Sequence, residues 1–259
     1  MIDIGVNLTH RSFNADRMQV IERARTAGVE GLILTGTSVR GSRESAEFAS
    51  QMPGYLYSTV GVHPHDAART PADTIETLRT LAASDHVVAI GECGLDFNRD
   101  FSPRDVQERW FADQLALAVD VGLPVFLHAR DAHERFIAIL ADYLPDLPGA
   151  VIHCFTGSGD ALDDCLDRGL HVGITGWICD ERRGLGLQEI VGRIPPDRLM
   201  IETDAPFLTP RDLRPKPKKG RNEPSFLPHI CRAISGFTGR DHDAVATDST
   251  ETTRRFFGI

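Results

Sequence analysis

The segment VVAIGECGLD, at residues 87–96, places a carboxylate at the end of a buried strand. Its first four residues are apolar and predict a short strand that ends at Ile90. Glu92 follows between Gly91 and Gly94, and because strand side chains alternate between faces we expect it on the face of Ile90. A carboxylate in this position is available for chemistry, so we predict that Glu92 is the centre of a functional site.

Similar apolar runs, rich in Val, Ile and Leu, recur along the chain. Eight such runs are centred near Asp3, Ile33, Val60, Ile90, Phe126, Ile152, Gly173 and Ile201. Their composition predicts strands that are buried on both faces. Helices predicted at residues 14–24, 70–81, 103–121 and 131–143 lie between some of these strands.

Eight strands that alternate with helices predict a closed (β/α)8 TIM barrel, formed as a single domain over residues 1–259. The alternative is an open, doubly wound sheet. Such a sheet usually carries a Gly-rich first turn for a nucleotide, and residues 7–9 of this chain, Asn-Leu-Thr, contain no glycine. The barrel is therefore the favoured fold.

The composition is that of a globular protein, with 259 residues, 41% hydrophobic and 25% charged. A formal net charge of −9 argues against a protein that coats DNA irrespective of sequence, because such proteins are basic. Five Cys residues without a Cys-x-x-Cys pair indicate reduced thiols. The first residues predict a strand rather than a basic leader, and no apolar run approaches the ~18 residues of a membrane span. We expect a cytoplasmic monomer without membrane contact.

Polar residues stand where several predicted strands end. In a barrel of this kind the strand ends form the active site. The side chains expected there are those of His63, His65, Glu92, His128, His153 and Asp204. Imidazole and carboxylate ligands without thiolate suit Mg²⁺, Mn²⁺ or Zn²⁺. Such a cation lowers the pKa of bound water to about 7, and Asp204 could orient that water or accept its proton.

A basic loop follows the last predicted strand. Residues 211–221 contain six Lys or Arg residues and one acid, Asp212. A solvated surface loop is one interpretation. Because the loop follows strand eight, we instead expect it at the rim of the site, where positive charge attracts a polyanionic substrate. The predicted phosphate ligands are Arg130, Lys216, Lys218, Lys219 and Arg221, with the Arg182–Arg183 pair as further candidates.

Seven motifs in order along the chain resemble those of the TatD-family metal-dependent nucleases. They are Asp3-x-x-x-Asn7, Gly61-Val62-His63-Pro64-His65, Gly91-Glu92-Cys93-Gly94-Leu95-Asp96, His128-x-Arg130, His153-Cys154-Phe155-Thr156-Gly157, Glu202-Thr203-Asp204-Ala205-Pro206 and Arg221-Asn222-Glu223-Pro224. Residues 3–9 and 176–184 match a bacterial subgroup of that family.

This resemblance implies a TIM barrel of the amidohydrolase type that holds a divalent metal, usually Mg²⁺. It implies 3′→5′ exonuclease action on single-stranded DNA, and on RNA, with DNA repair or nucleic-acid turnover as the setting. Glu92, His128, His153 and Asp204 would be the metal-site residues. His63 and His65 would lie close to the scissile phosphate.

The chain departs from the family on strand one, where most members carry Asp-x-His-x-His. Gly5 and Asn7 replace both histidines here. We therefore expect one firmly bound metal, with any second ion recruited by substrate phosphate. Two alternatives remain: a hydrolase of a small amide, ester or aminoacyl-tRNA in the same barrel, and a nucleic-acid-binding relative without turnover.

Overall fold

The computed structural model describes residues 1–217 and 220–259, so the predicted phosphate ligands Lys218 and Lys219 lie outside the described residues. Eight strands form one sheet in the order of the chain, β1 to β8. Their bounds are β1 Ile2–Val6, β2 Gly31–Leu34, β3 Leu56–Val60, β4 Val87–Asp96, β5 Val125–Arg130, β6 Ala150–Ile152, β7 His171–Ile174 and β8 Leu199–Ile201. Each of the eight predicted centres falls inside one of these strands, and this order is that of a (β/α)8 barrel.

The strands are apolar because they are buried. Every residue of β1, β2, β4, β6 and β8 is buried, as predicted from their composition. β4 pairs in parallel with β3 and β5, and β5 pairs in parallel with β6. Beyond β1, Asn7 donates to the carbonyl oxygen of Ala205 at 2.7 Å, and Val6 and Ala205 form a parallel bridge. The end of β1 is thus joined to the segment that follows β8.

Two strands are longer than the apolar runs suggested. β4 continues to Asp96, so Glu92 lies inside the strand rather than beyond its end. β5 continues to Arg130, so His128 is also a strand residue. Parallel pairing extends both strands, since residues 94–96 of β4 pair with residues 128–130 of β5. The pairing register shifts between Gly91 and Cys93, which breaks the simple alternation of faces at Glu92.

Nine α-helices are present within the described residues. They are α1 Arg17–Thr26, α2 Val39–Ser50, α3 Thr74–Ala82, α4 Arg104–Val121, α5 His133–Leu140, α6 Gly159–Asp167, α7 Leu185–Ile190, α8 Leu227–Thr238 and α9 His242–Phe257. The predicted α4 is confirmed, and it ends at Gly122 in the left-handed conformation that favours glycine.

The predicted starts of α1 and α3 were wrong. Asn14 does not cap α1, because residues 11–13 form a short 3-10 turn of their own and Asp16 is the residue before the helix. Pro71 does not open α3, since the chain passes through a turn and the helix begins at Thr74.

The chain forms two compact units. One comprises Met1–Ile33 and Cys154–Phe257 with Ile259, and the other comprises Leu34–His153 with Gly258. The second unit contains Glu92 and the four candidate histidines, whereas Asp204 and the basic loop belong to the first. The prediction of a single domain stays a prediction. Within residues 1–217 and 220–259, no helix combines the length and the apolar character that crossing a membrane requires.

Candidate metal centre

Glycines bring the backbone of β4 close to β5 on either side of Glu92. A side chain at Gly91 would overlap the carbonyl oxygen of Phe126, and one at Gly94 would overlap that of His128. Both glycines also have positive φ angles, 143° and 144°, which other residues rarely adopt. The flanking glycines therefore allow β4 and β5 to present Glu92 and His128 side by side.

One carboxylate oxygen, Oε1 of Glu92, is surrounded by three imidazoles. It lies 2.7 Å from Nε2 of His153, 3.0 Å from Nδ1 of His128 and 3.2 Å from Nε2 of His63. All four side chains are at most 18% exposed. The structure thus places three of the predicted histidines around the predicted central carboxylate.

Asp96 is a second carboxylate in this cluster, and the sequence reasoning missed it as a site residue. Its Oδ2 lies 2.7 Å from Nε2 of His65 and 3.5 Å from Nε2 of His128. Asp96 is the last residue of the segment 87–96, but the strand predicted there ended at Ile90, six residues earlier. Had the strand been extended, Asp96 would have stood opposite Arg130 and two residues from the pairing position of His128, near enough to be a candidate.

Charge interactions within the cluster hold both carboxyl groups in the ionised form. Burial by itself raises the pKa of Glu92, but the charges of His153 and His63 and the hydrogen bonds from His128 and His153 bring that pKa well below its usual value. Burial likewise opposes ionisation of Asp96, yet hydrogen bonds from His128 and His65 lower its pKa.

The pKa values of His63 and His128 shift in opposite directions. Burial lowers the pKa of His63. Burial also acts to lower the pKa of His128, but the carboxylates of Asp96 and Glu92 outweigh it and the net pKa is raised. The cluster therefore combines anionic oxygens with nitrogen donors, which are the ligand types that divalent cations use.

The tautomers separate the histidines into two roles. The backbone N–H of His65 donates to Nδ1 of His63 at 3.1 Å, so Nε2 of a neutral His63 carries the proton and cannot ligate a metal. Nε2 of His128 is buried, and Oδ2 of Asp96 lies 3.5 Å from it, which is too far for a strong hydrogen bond. A buried nitrogen without a strong hydrogen bond is available to coordinate a metal ion. The residues therefore fit a divalent cation held by Glu92 with His128 and His153, with His63 as a hydrogen-bond donor.

Asp204 lies at the end of β8, in the first unit. Nδ2 of Asn7 donates to its Oδ1 at 3.0 Å, and its backbone N–H donates to the carbonyl oxygen of Gly5 at 2.8 Å. Its φ of 53° is in the left-handed region. The Asn7 side chain therefore holds the predicted catalytic aspartate in place.

The predicted phosphate ligands differ in their surroundings. Lys216 is exposed and Arg130 is half-buried on β5. Arg221 forms a bidentate pair with Asp16, with N–O distances of 2.8 and 2.7 Å, and also lies 2.7 Å from Glu223. In the Arg182–Arg183 pair, Nε of Arg183 lies 3.0 Å from Oδ2 of Asp180. Arg221 and both arginines of the pair thus already contact carboxylates, and phosphate binding by this set stays a prediction.

Comparison with known proteins identifies the family of the chain. A family model described as TatD-related DNase matches residues 2–258. A 3′–5′ ssDNA/RNA exonuclease TatD from Dickeya dadantii is 57% identical over 99% of this chain and 97% of its own. Its counterpart from Pectobacterium carotovorum is 54% identical over the full length of both chains. The predicted family resemblance is confirmed.

A solved structure supports the fold as well. The structure of a TatD homologue from Escherichia coli K12 has a TM-score of 0.91 at 25% identity, covering 100% of this chain and 98% of that one. Together with the strand order β1 to β8, this likeness confirms the predicted (β/α)8 TIM-barrel class.

Proposed function

The chain belongs to the family of TatD-related DNases, which are hydrolases of nucleic-acid ester bonds, and on this basis we propose that it is a metal-dependent 3′→5′ exonuclease of single-stranded DNA and RNA. The observation that carries the proposal is the convergence of three imidazole nitrogens within 3.2 Å of Oε1 of Glu92. A buried carboxylate surrounded by imidazoles can coordinate a divalent cation. Divalent cations promote the hydrolysis of phosphodiesters.

Glu92, His128 and His153 would hold the cation, with Asp204 as the fourth predicted ligand. A bound divalent cation polarises a phosphoryl oxygen and lowers the pKa of a water molecule. We propose Mg²⁺ as the usual ion, with Mn²⁺ and Zn²⁺ as alternatives that the same ligand types accept.

The other residues act on the substrate directly. Nε2 of His63 carries a proton and lies 3.2 Å from Oε1 of Glu92, and a phosphate oxygen bound beside Glu92 would replace that carboxylate as its acceptor. The ring of His65 lies beside His63, with 4.3 Å between the ring centroids. Asp204 accepts the proton of the attacking water. Arg130, Lys216, Lys218, Lys219 and Arg221 neutralise phosphates of the strand.

We further propose that the enzyme acts as a monomer in the cytoplasm on free 3′ ends. Its five cysteines are all free, as expected in a reducing compartment. The mass of the purified protein, measured by sedimentation with and without an oligonucleotide, tests whether it is a monomer.

The decisive experiment follows cleavage of single strands labelled at either end. With Mg²⁺, Mn²⁺ or Zn²⁺ added to chelator-treated protein, a 5′-labelled strand should shorten stepwise from its 3′ end, and a 3′-labelled strand should release labelled mononucleotide at once. Glu92→Gln keeps the shape of the side chain but removes its charge, and we expect no cleavage by this variant. Undiminished activity of Glu92→Gln would falsify the proposal, as would release of internal fragments.

A further inference from the structure

A second group of metal-binding side chains lies in the first unit and shares no residue with the Glu92 cluster. Cys179, Asp212 and His229 offer one sulfur, one oxygen and one nitrogen, and these atoms all lie within 4.8 Å of one another. Nε2 of His229 is 2.8 Å from Oδ1 of Asp212, and the thiol of Cys179 also interacts with the Asp212 carboxylate. The three residues come from three separate parts of the chain.

Each residue is positioned by a different element. Cys179 ends the short 3-10 turn Gly176–Cys179 that follows β7, and it is 5% exposed. Asp212 belongs to the basic loop and His229 to the first turn of α8. The His229 and Asp212 side chains are 24% and 53% exposed, so an ion has access from solvent while its sulfur ligand is buried.

Arg211, the cation next to Asp212 in the chain, contacts other carboxylates. Nη2 of Arg211 lies 3.0 Å from Oε1 of Glu181, and its Nε lies 3.7 Å from Oδ1 of Asp180. The guanidinium is thus directed at two other acids. Asp212 is left to face His229 and Cys179, which are both ligands that bind soft or borderline cations.

We propose that Cys179, Asp212 and His229 form a binding site for Zn²⁺ that is separate from the catalytic metal. Thiolate, imidazole and carboxylate are the three ligand types that Zn²⁺ takes in proteins, in tetrahedral sites. Donor atoms on one Zn²⁺ stand about 3.3 to 3.6 Å apart, given metal–ligand bonds of 2.0 to 2.3 Å. The observed group needs only small side-chain movements to reach that geometry, and water completes the tetrahedron.

The ion would fasten the start of the basic loop to the turn after β7 and to α8. Asp212 is the only acid among residues 211–221, so it is the one loop residue that can serve as an anionic ligand. Neutralising it also leaves the positive charge of the loop undiminished. The proposed role of the ion is therefore to hold residues 211–217 against these two elements.

Cobalt substitution tests the site without using nuclease activity. Co²⁺ bound to a thiolate gives a sulfur-to-cobalt charge-transfer band in the near ultraviolet, whereas the His and carboxylate ligands around Glu92 give none. We expect chelator-treated protein to develop this band on titration with Co²⁺ alone and to lose it when Zn²⁺ is added. Cys179→Ser should abolish the band. Asp212→Asn, at an exposed position where misfolding is not expected, should weaken Co²⁺ binding by roughly tenfold or more.

Two control variants locate the signal. Cys165→Ser changes another buried thiol, on α6, and Glu92→Gln changes the catalytic cluster, so both should keep the band. A protein that gives no band, or a band that survives Cys179→Ser, would overturn the proposed zinc site. Neither result would affect the proposed nuclease activity, which is measured separately.

Discussion

Nε2 of His65 lies 2.7 Å from Oδ2 of Asp96, the last residue of β4. The other oxygen of the same carboxylate accepts the backbone N–H groups of Asn98 and Arg99 at 3.0 and 2.8 Å. Asp96 is thereby fixed on one side by the backbone, and on the other it sets the orientation of the His65 ring. Because its Oδ2 also faces His128, one carboxylate supports both a phosphate-binding candidate and a metal-ligand candidate.

Replacing Asp96 with asparagine should therefore impair two functions together. We expect Asp96→Asn to lower the nuclease rate by about 10- to 100-fold and to weaken metal binding, since partners that orient metal-ligating histidines typically contribute that much. Steady-state cleavage of a labelled single strand across a Mg²⁺ titration measures both effects. Excess metal should restore part of the activity.

Asp100 provides the matched control for this substitution. It follows Asp96 by four residues, and its carboxylate accepts from Arg104 at 3.0 and 2.8 Å on the protein surface. Asp100→Asn should leave cleavage and metal dependence close to those of the unmodified protein. If both variants behave alike, Asp96 has no special part in orienting the histidines.

The fold could be predicted because its signals are local. Each strand is a buried apolar run, and Gly122 ends α4 as its sequence position indicated. The limits of β4 and β5 could not be predicted in this way, because pairing between strands extends them beyond their apolar runs through Asp96 and Arg130. Pairing depends on a neighbour that a single segment does not reveal.

The candidate site was predicted in outline for a related reason. Histidines and acids at strand ends are recognisable one at a time, and Glu92, His63, His128 and His153 do converge. The pairing of Arg221 with Asp16 joins residues far apart in the chain, so the sequence offered no sign of it. The same holds for the group of Cys179, Asp212 and His229.

Gly94 is expected to tolerate no side chain, because β5 occupies the space that a Cβ would need. Gly94→Ala would bring a methyl group against the His128 carbonyl and would force alanine to a φ near 144°. We expect a loss of about 3 kcal/mol or more in the free energy of unfolding, from overpacking and backbone strain together. Urea denaturation measures this loss.

Substitution of Gly122 distinguishes backbone strain from overpacking. It also has a positive φ, 68°, but no atom lies within 4 Å of a Cβ built there. Gly122→Ala should therefore cost only the backbone term, about 1 kcal/mol. Equal losses for the two variants would show that close approach of β4 and β5 contributes nothing.

Arg221 should contribute to stability in a way that depends on pH. Hydrogen bonds from Arg221 lower the pKa of Asp16 from 3.8 to about 2, so the folded state favours the ionised carboxyl. A carboxyl with a depressed folded pKa stabilises the protein fully above its unfolded pKa, and this contribution is lost as the pH falls through the folded value. The stability lost in Arg221→Ala should thus be complete above pH 4 to 5 and should shrink towards pH 2, as measured by denaturation at each pH.

Arg214 is the matched control within the basic loop. Its guanidinium donates to the backbone carbonyls of Arg211 and Leu213 at 3.0 and 2.8 Å, and those acceptors do not titrate. Arg214→Ala should therefore show a small stability change that is the same at pH 3 and pH 7. A pH-independent loss in Arg221→Ala would rule out Asp16 as the titrating partner.

The basic loop can be probed directly because all three lysines of the chain, Lys216, Lys218 and Lys219, lie within it. If the loop binds phosphates, a single-stranded oligonucleotide should slow acylation of these lysines by an amine-reactive reagent several-fold. The α-amino group of Met1, which lies 3.0 Å from Oε1 of Glu30, is an internal control whose acylation should not change. The Glu92→Gln variant is used so that the oligonucleotide is not cleaved during the reaction. Mass spectrometry quantifies the acylation of each amine. Protection should disappear at high salt, since it depends on phosphate contacts. Equal acylation with and without the oligonucleotide would show that the loop is only a solvated surface segment.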